Sequence, residues 1–217
     1  MSGSSSAVRR VTSERGVTLI EVALMLTVAI AMIGALMPVA TATVRHAETT
    51  RATTDMNNLA TVMPTALTEM NFTRFTINGA RNGTAVNLLV SDGDMPRECT
   101  AASGCAGVQP ANWNTLVDNA GGLTDFLERH LVTNNPRGNV ANAYPTGGGN
   151  PWRGAYLTAP INPDPWGNRY MVNSQYFGPN ANDVVVLSAG PNEIIETVFA
   201  ANPLAAGGDD LIVLVEP

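Results

Sequence analysis

The chain has 217 residues with a net charge of −6, 45% hydrophobic and 14% charged. That composition is too apolar for a disordered protein and too polar for a multi-span membrane protein. All twelve basic residues are Arg, and the acidic balance argues against nucleic acid as a partner, because phosphate binding needs clustered cations.

The first sixteen residues, MSGSSSAVRRVTSERG, are short, polar and basic. Residues 22 to 44 carry no charge over 23 positions, and Glu21 stands at the edge of this run. At ~1.5 Å rise per residue such a segment crosses a ~30 Å hydrocarbon core. Arg9, Arg10 and Arg15 predict a cytoplasmic amino terminus, which puts the rest of the chain on the far side of the membrane. A secretory signal peptide fits less well. The apolar run exceeds an h-region of about 7–15 residues, only Ala40–Ala42 suggests a cleavage site, and Glu21 would have no purpose.

The sequence RG-VTLIEV, Arg15 to Val22, resembles the prepilin-peptidase motif of type IV pilins and type II secretion pseudopilins. The resemblance implies cleavage between Gly16 and Val17 and N-methylation of Val17, where the family usually has Phe. Glu21 would become the fifth residue of the mature chain, where the family keeps its glutamate. A carboxylate in a membrane helix costs on the order of 2.5–3.5 kcal/mol at the bilayer centre and less near an end. By resemblance, Glu21 pairs with the α-amino group of a neighbouring subunit and sets the register of assembly; the plain alternative is a Glu reaching the headgroups. Gly34 and Pro38 lie inside the span, and the resemblance makes them the stretch that unwinds in a filament.

Beyond Arg45, residues 45–70 continue as an amphipathic helix. Ala52, Met56, Leu59, Met63, Ala66 and Met70 recur at spacings of 4, 3, 4, 3 and 4, opposite Arg51, Asp55, Asn58 and Glu69. Pro64 is expected to bend or end this helix. Residues 71–150 are rich in Gly, Asn, Thr and Pro and read as a loop-rich insertion, with a short helix in GGLTDFLERHLV (Gly121–Val132). Asp92 and Asp94 read as a solvated turn. Cys99 and Cys105, the two cysteines, close a short disulfide loop if the compartment is oxidising, or remain free thiols.

Residues 151–217 carry three strand candidates, Asn168–Asn173, Asp183–Ala189 and Leu211–Glu216, each bounded by Gly, Pro or Asn. A long helix followed by antiparallel strands predicts an α+β fold, the helix packed on a small antiparallel sheet. DPWG, Asp164–Gly167, reads as a structural turn with Trp166 as an apolar plug.

The order GAYL, DPWGNRY, DVVVLSAGPNE and GGDDLIV is similar to the carboxy-terminal part of the major pseudopilin of type II secretion. That family binds calcium in the loop between its last strands. Carried over by position, Ala189 offers a backbone carbonyl, Asn192 stands where the family has Asp, and Asp209 or Asp210 matches the downstream acid. Glu193 and Glu196 are further oxygen donors. The loop is longer here than in the family.

The resemblance thus implies a non-enzymatic filament subunit of the bacterial inner membrane. It would span once, amino terminus in the cytoplasm and head in the periplasm, with residues 1–16 as leader and 17–44 as the membrane and filament-core helix. Implied partners are copies of itself, the prepilin peptidase, minor pseudopilins, the inner-membrane assembly platform and lipid, with no nucleic acid. A surface type IV pilin for adhesion, motility or DNA uptake is the alternative. No catalytic motif such as G-x-S-x-G or H-E-x-x-H is present.

Overall fold

Pro64 lies within a helix, not at its end. In the computed structural model, which describes residues 18–99, 113, 123–179, 182–200 and 205–215, helix α1 runs from Leu19 to Met70. Proline removes one backbone N–H and so one i→i−4 bond, about 3 kcal/mol relative to Ala. The buried stripe on either side of it outweighs that loss: Ala52, Met56, Leu59, Met63, Ala66, Leu67 and Met70 are all buried. The helix ends at Asn71, whose φ of 55° is the left-handed stop that Asn tolerates, and the N–H of Phe72 donates back to the carbonyl of Leu67.

The chain divides into two units, residues 1–45 and 46–217. In the first, the described part of α1 is exposed along its whole length. Between Glu21 and Arg45 its only polar side chains are threonines, and each hydroxyl is satisfied within the helix. Thr27 donates to the carbonyls of Ala23 and Leu24, Thr41 to those of Met37 and Pro38, and Thr43 to that of Val39.

The second unit is built on a five-stranded sheet. Its strands are β1 (Leu88–Val90), β3 (Thr124–Phe126), β4 (Met171–Val172), β5 (Val185–Ser188) and β7 (Leu211–Leu214), in the spatial order β3-β1-β4-β5-β7. A separate pair joins β2 (Arg97–Glu98) to β6 (Ile194–Ile195). The expected antiparallel sheet is corrected to a mixed one. The pairs β1–β4, β4–β5 and β5–β7 are antiparallel, whereas β1–β3 and β2–β6 are parallel. Parallel neighbours need a crossover of about a dozen residues or more, and the chain between β1 and β3 is long enough to make one. Residues 71–150 thus supply β1, β2 and β3. The helix expected in Gly121–Val132 is confined to α2 (Leu127–Leu131), because Thr124–Phe126 pairs with β1 instead.

Both sheet faces are covered. Alternation along each strand sends Leu89, Val172 and Val186 into one core with the α1 stripe, Phe75 and Tyr144. Leu88, Val90, Met171, Val185 and Leu187 enter a second core with Trp113, Ile195 and Phe199. This two-sided burial is why VVVL reads as an unbroken apolar run. Trp166, the expected plug, is half-buried against the first core. The polar flank of α1 is tied down as well: Arg51 donates to the carbonyl of Pro163 at 2.9 Å, and Tyr170 donates to Asp55 at 3.2 Å.

Met63 is fully buried in the first core, whereas Thr61 is exposed two residues away. Met63→Ala should destabilise the second unit by about 2–5 kcal/mol in urea unfolding, and Thr61→Ala by less than ~0.5 kcal/mol. Equal effects would contradict this packing.

Candidate functional site

Three places bear on function. The first is the start of α1. Gly16 and Val17 lie outside the described residues. Glu21 sits exposed in the first helical turn, its N–H donating to the carbonyl of Thr18 at 3.0 Å. Gly34 and Pro38 fall within the helix at a separation of four, so the hydrogen bond that Pro38 cannot donate is the one that Gly34 would accept. This is a weak point built from two residues, inside a segment that is otherwise regular helix.

The second is the acidic loop after β5. Ser188 ends the strand, Ala189 is buried, and Gly190–Asn192 form a 3-10 turn closed by Glu193 at φ 60°. Across from them, Gly207–Asp210 approach so closely that a side chain at Gly190 would strike the carbonyl of Asp209, and one at Gly208 would strike the Glu196 carboxylate. The acids organise backbone. Asp209 Oδ2 accepts the N–H of Asn192 at 3.1 Å, and Asp210 Oδ2 accepts those of Glu196 and Thr197 at 2.8 and 2.6 Å. The Asn192 amide donates to Glu196 at 3.1 Å, and its oxygen accepts the N–H of Ile194 at 2.7 Å.

This arrangement leaves Asp209 Oδ1 and Asp210 Oδ1 buried without a partner. Burial pushes the Asp210 carboxyl up to about 6. Thr197 and the N–H groups it accepts oppose that shift, and the nearby Glu196 charge adds to it. Among the described residues, no three His, Cys, Asp or Glu side chains converge to hold a metal. The donors present are nonetheless all oxygens, two of them buried and unsatisfied, and that chemistry fits a hard cation. Ala189, Asn192, Asp209 and Asp210 are thus brought into one loop system.

DPWG proves to be part of this system. Asp164 is buried and accepts the N–H groups of Trp166 and Asn168 at 3.0 and 2.8 Å, and the Ser188 hydroxyl at 2.6 Å. The N–H of Gly190 in turn donates to Ser188 Oγ at 3.3 Å. Burial raises the Asp164 carboxyl against these donors. The turn and the acidic loop share one hydrogen-bonded relay.

The third place is a polar network that the sequence did not announce. His130 lies with Nε2 3.0 Å from Asp125 Oδ2 and Nδ1 2.7 Å from the Tyr144 hydroxyl, and all three residues are buried. Asp125 Oδ1 also accepts from Arg129 at 2.7 Å and from the N–H of Phe126 at 2.8 Å, and the Arg137 N–H donates to Oδ2. The one signal in sequence was an acid five residues before the histidine; the tyrosine is fourteen residues beyond it. An acid, an imidazole and a hydroxyl in a row suit proton transfer in an open cleft. Here they are sealed in, and the network fastens α2 and the Asn134–Tyr144 turn to the end of the sheet.

Cys99 is buried and disulfide-bonded. Cys105, the chain's other cysteine, lies outside the described residues. Set against protein-family models, curated proteins and solved structures, the chain gives no match.

Burial opposes ionisation of Asp125, but His130, the Arg137 N–H and the Arg129 guanidinium outweigh it and hold the carboxyl at about 2. The folded value lies below the unfolded one, so the stabilisation is complete above pH ~4 and is lost as pH falls through about 2. Asp125→Asn should therefore lower stability at pH 7 by on the order of 3 kcal/mol and flatten the loss between pH 4 and 2 in acid unfolding. An unchanged acid profile would contradict the network.

Proposed function

We propose that this chain is a structural filament subunit, a pseudopilin that polymerises in the periplasm and drives protein export by type II secretion. One observation carries the reading: the described part of α1 up to Val44 is apolar on every side, exposed, and carries a single charge, Glu21 near its start. The helix is long and apolar enough to cross a membrane. The RG-VTLIEV motif supports cleavage after Gly16, which would free the Val17 amine for pairing with Glu21 of a neighbouring copy. Cleavage also removes a basic leader, which leaves a chain of about −8. The peptidase, the minor subunits and the assembly platform are the partners implied, with the amino terminus cytoplasmic and the head periplasmic.

Calcium belongs to the same reading. Asp209 and Asp210, with the Asn192 side chain and the Ala189 carbonyl, would hold it, and a divalent cation would supply the positive charge that the buried Asp210 carboxylate lacks. Glu196 stands close enough to Asn192 to join them. In this reading the chain is a structural subunit and not an enzyme, and the buried Asp125–His130–Tyr144 row fastens the head.

A surface type IV pilin is the second reading, and the disulfide at Cys99 is what favours it. The DPWG-to-acidic-loop relay, which joins two elements of the pseudopilin resemblance, favours the first.

The two readings separate in cells. Deleting the gene should trap exported enzymes in the periplasm and leave surface pili intact, and Glu21→Ala should reproduce that phenotype while still being inserted and cleaved. Loss of pili with intact secretion would establish the pilin instead, and normal filaments from Glu21→Ala would contradict the assembly role.

A further inference from the structure

The segment leaving the acidic loop, Glu193 to Phe199, presents alternate carbonyls to chain from the 71–150 region. The N–H of Arg97 donates to the carbonyl of Glu193 at 3.0 Å, and the N–H of Cys99 donates to that of Ile195 at 2.8 Å. The next carbonyl in this row, Thr197, is taken by a side chain: the Trp113 indole N–H donates to it at 2.9 Å. Trp113 is fully buried, and its ring meets Phe199 edge-on at 4.8 Å. The other side of the same peptide run faces the acids. The N–H of Thr197 donates to Asp210 Oδ2, and its hydroxyl accepts the N–H of Gly207 at 2.9 Å.

Thr197 is therefore held from two directions, by the indole on one side and by Asp210 and Gly207 on the other. An indole can supply only a donor, and it has no freedom to swap partners. Its ring is fixed by the second core. Groups that orient metal ligands without touching the metal commonly change affinity by about 10–100-fold when removed.

We propose that Trp113 is a positioning residue for the cation loop. Through the Thr197 carbonyl it fixes the residue whose N–H donates to Asp210, so that Trp113 sets how tightly the loop takes a hard divalent cation. This rests on the cation reading above. Part of the 71–150 stretch thereby acquires a role, since the β2 edge and one tryptophan brace the loop from outside.

The test is calorimetric titration of the full chain in detergent with Ca²⁺ alone, for the wild type, Trp113→Phe and Leu88→Val. Trp113→Phe keeps a ring against Phe199 and deletes the indole N–H. Leu88 belongs to the same second core and reports loss of packing alone. Wild type and Leu88→Val are expected to bind alike, and Trp113→Phe to bind about tenfold more weakly. Equal affinity for Trp113→Phe and wild type overturns the positioning role and leaves the cation reading standing. Equal weakening in both variants overturns it too, because packing would then be the cause. No heat of binding in the wild type overturns the cation reading itself, and the inference with it. Should Trp113→Phe fail to fold, Phe199→Leu is titrated in its place. It keeps the N–H but removes the ring that the indole rests on, and it must weaken binding relative to Leu88→Val for the inference to hold.

Discussion

A helix that is apolar all the way round has no face to give to water. That constraint governs the amino-terminal unit. From Leu19 to Val44 every long side chain is exposed, and each threonine hydroxyl is turned back on the helix's own carbonyls. Two surroundings satisfy such a surface, lipid and other helices like itself. A protein that moves between them needs one group that prefers the second, and an exposed carboxylate at the edge of the apolar run is such a group. In the proposed reading Glu21 is that group. The Gly34–Pro38 pair adds a place where the helix already lacks one hydrogen bond, so loss of helix there costs less than elsewhere.

The head obeys a different rule. Its sheet strands are short, two to four residues, and gain stability from being covered twice. The α1 stripe seals one face. The other is sealed by Trp113, Ile195 and Phe199, contributed by two segments far apart in sequence. Among the described residues, Met95 and Trp113 between β1 and β3, and Ala189, Ile195 and Phe199 between β5 and β7, close that second core. The acidic loop lies at its rim, so packing and the placement of Asp210 are joined through Thr197.

How much of this was legible in the sequence differed by element. The stripe from Ala52 to Met70 was, because helical burial repeats at 3.6 and the six positions follow that period. So were β4, β5 and β7, whose apolar runs are bounded by turn residues. β1 and β3 escaped: three-residue strands buried by distant partners carry no period of their own. Pro64 does not end the helix, because local propensity is outweighed by the buried residues that flank it. The loop acids were found by resemblance, but their use as backbone acceptors depends on Gly190 and Gly208 permitting close approach, which spacing does not reveal. Asp125, His130 and Tyr144 come together only once the chain has folded. The DPWG turn was read as a turn, and its acid turned out to be the end of a relay reaching Gly190.

The amino terminus offers the most direct measurement. Protein extracted from the membranes of cells that carry a prepilin peptidase would be analysed by intact mass and terminal fragmentation. A chain that begins at Val17 and carries one methyl group on its amine is the predicted result. A chain that retains residues 1–16, or one cut after Ala42 as a secretory signal peptide would be, contradicts the filament account at its root.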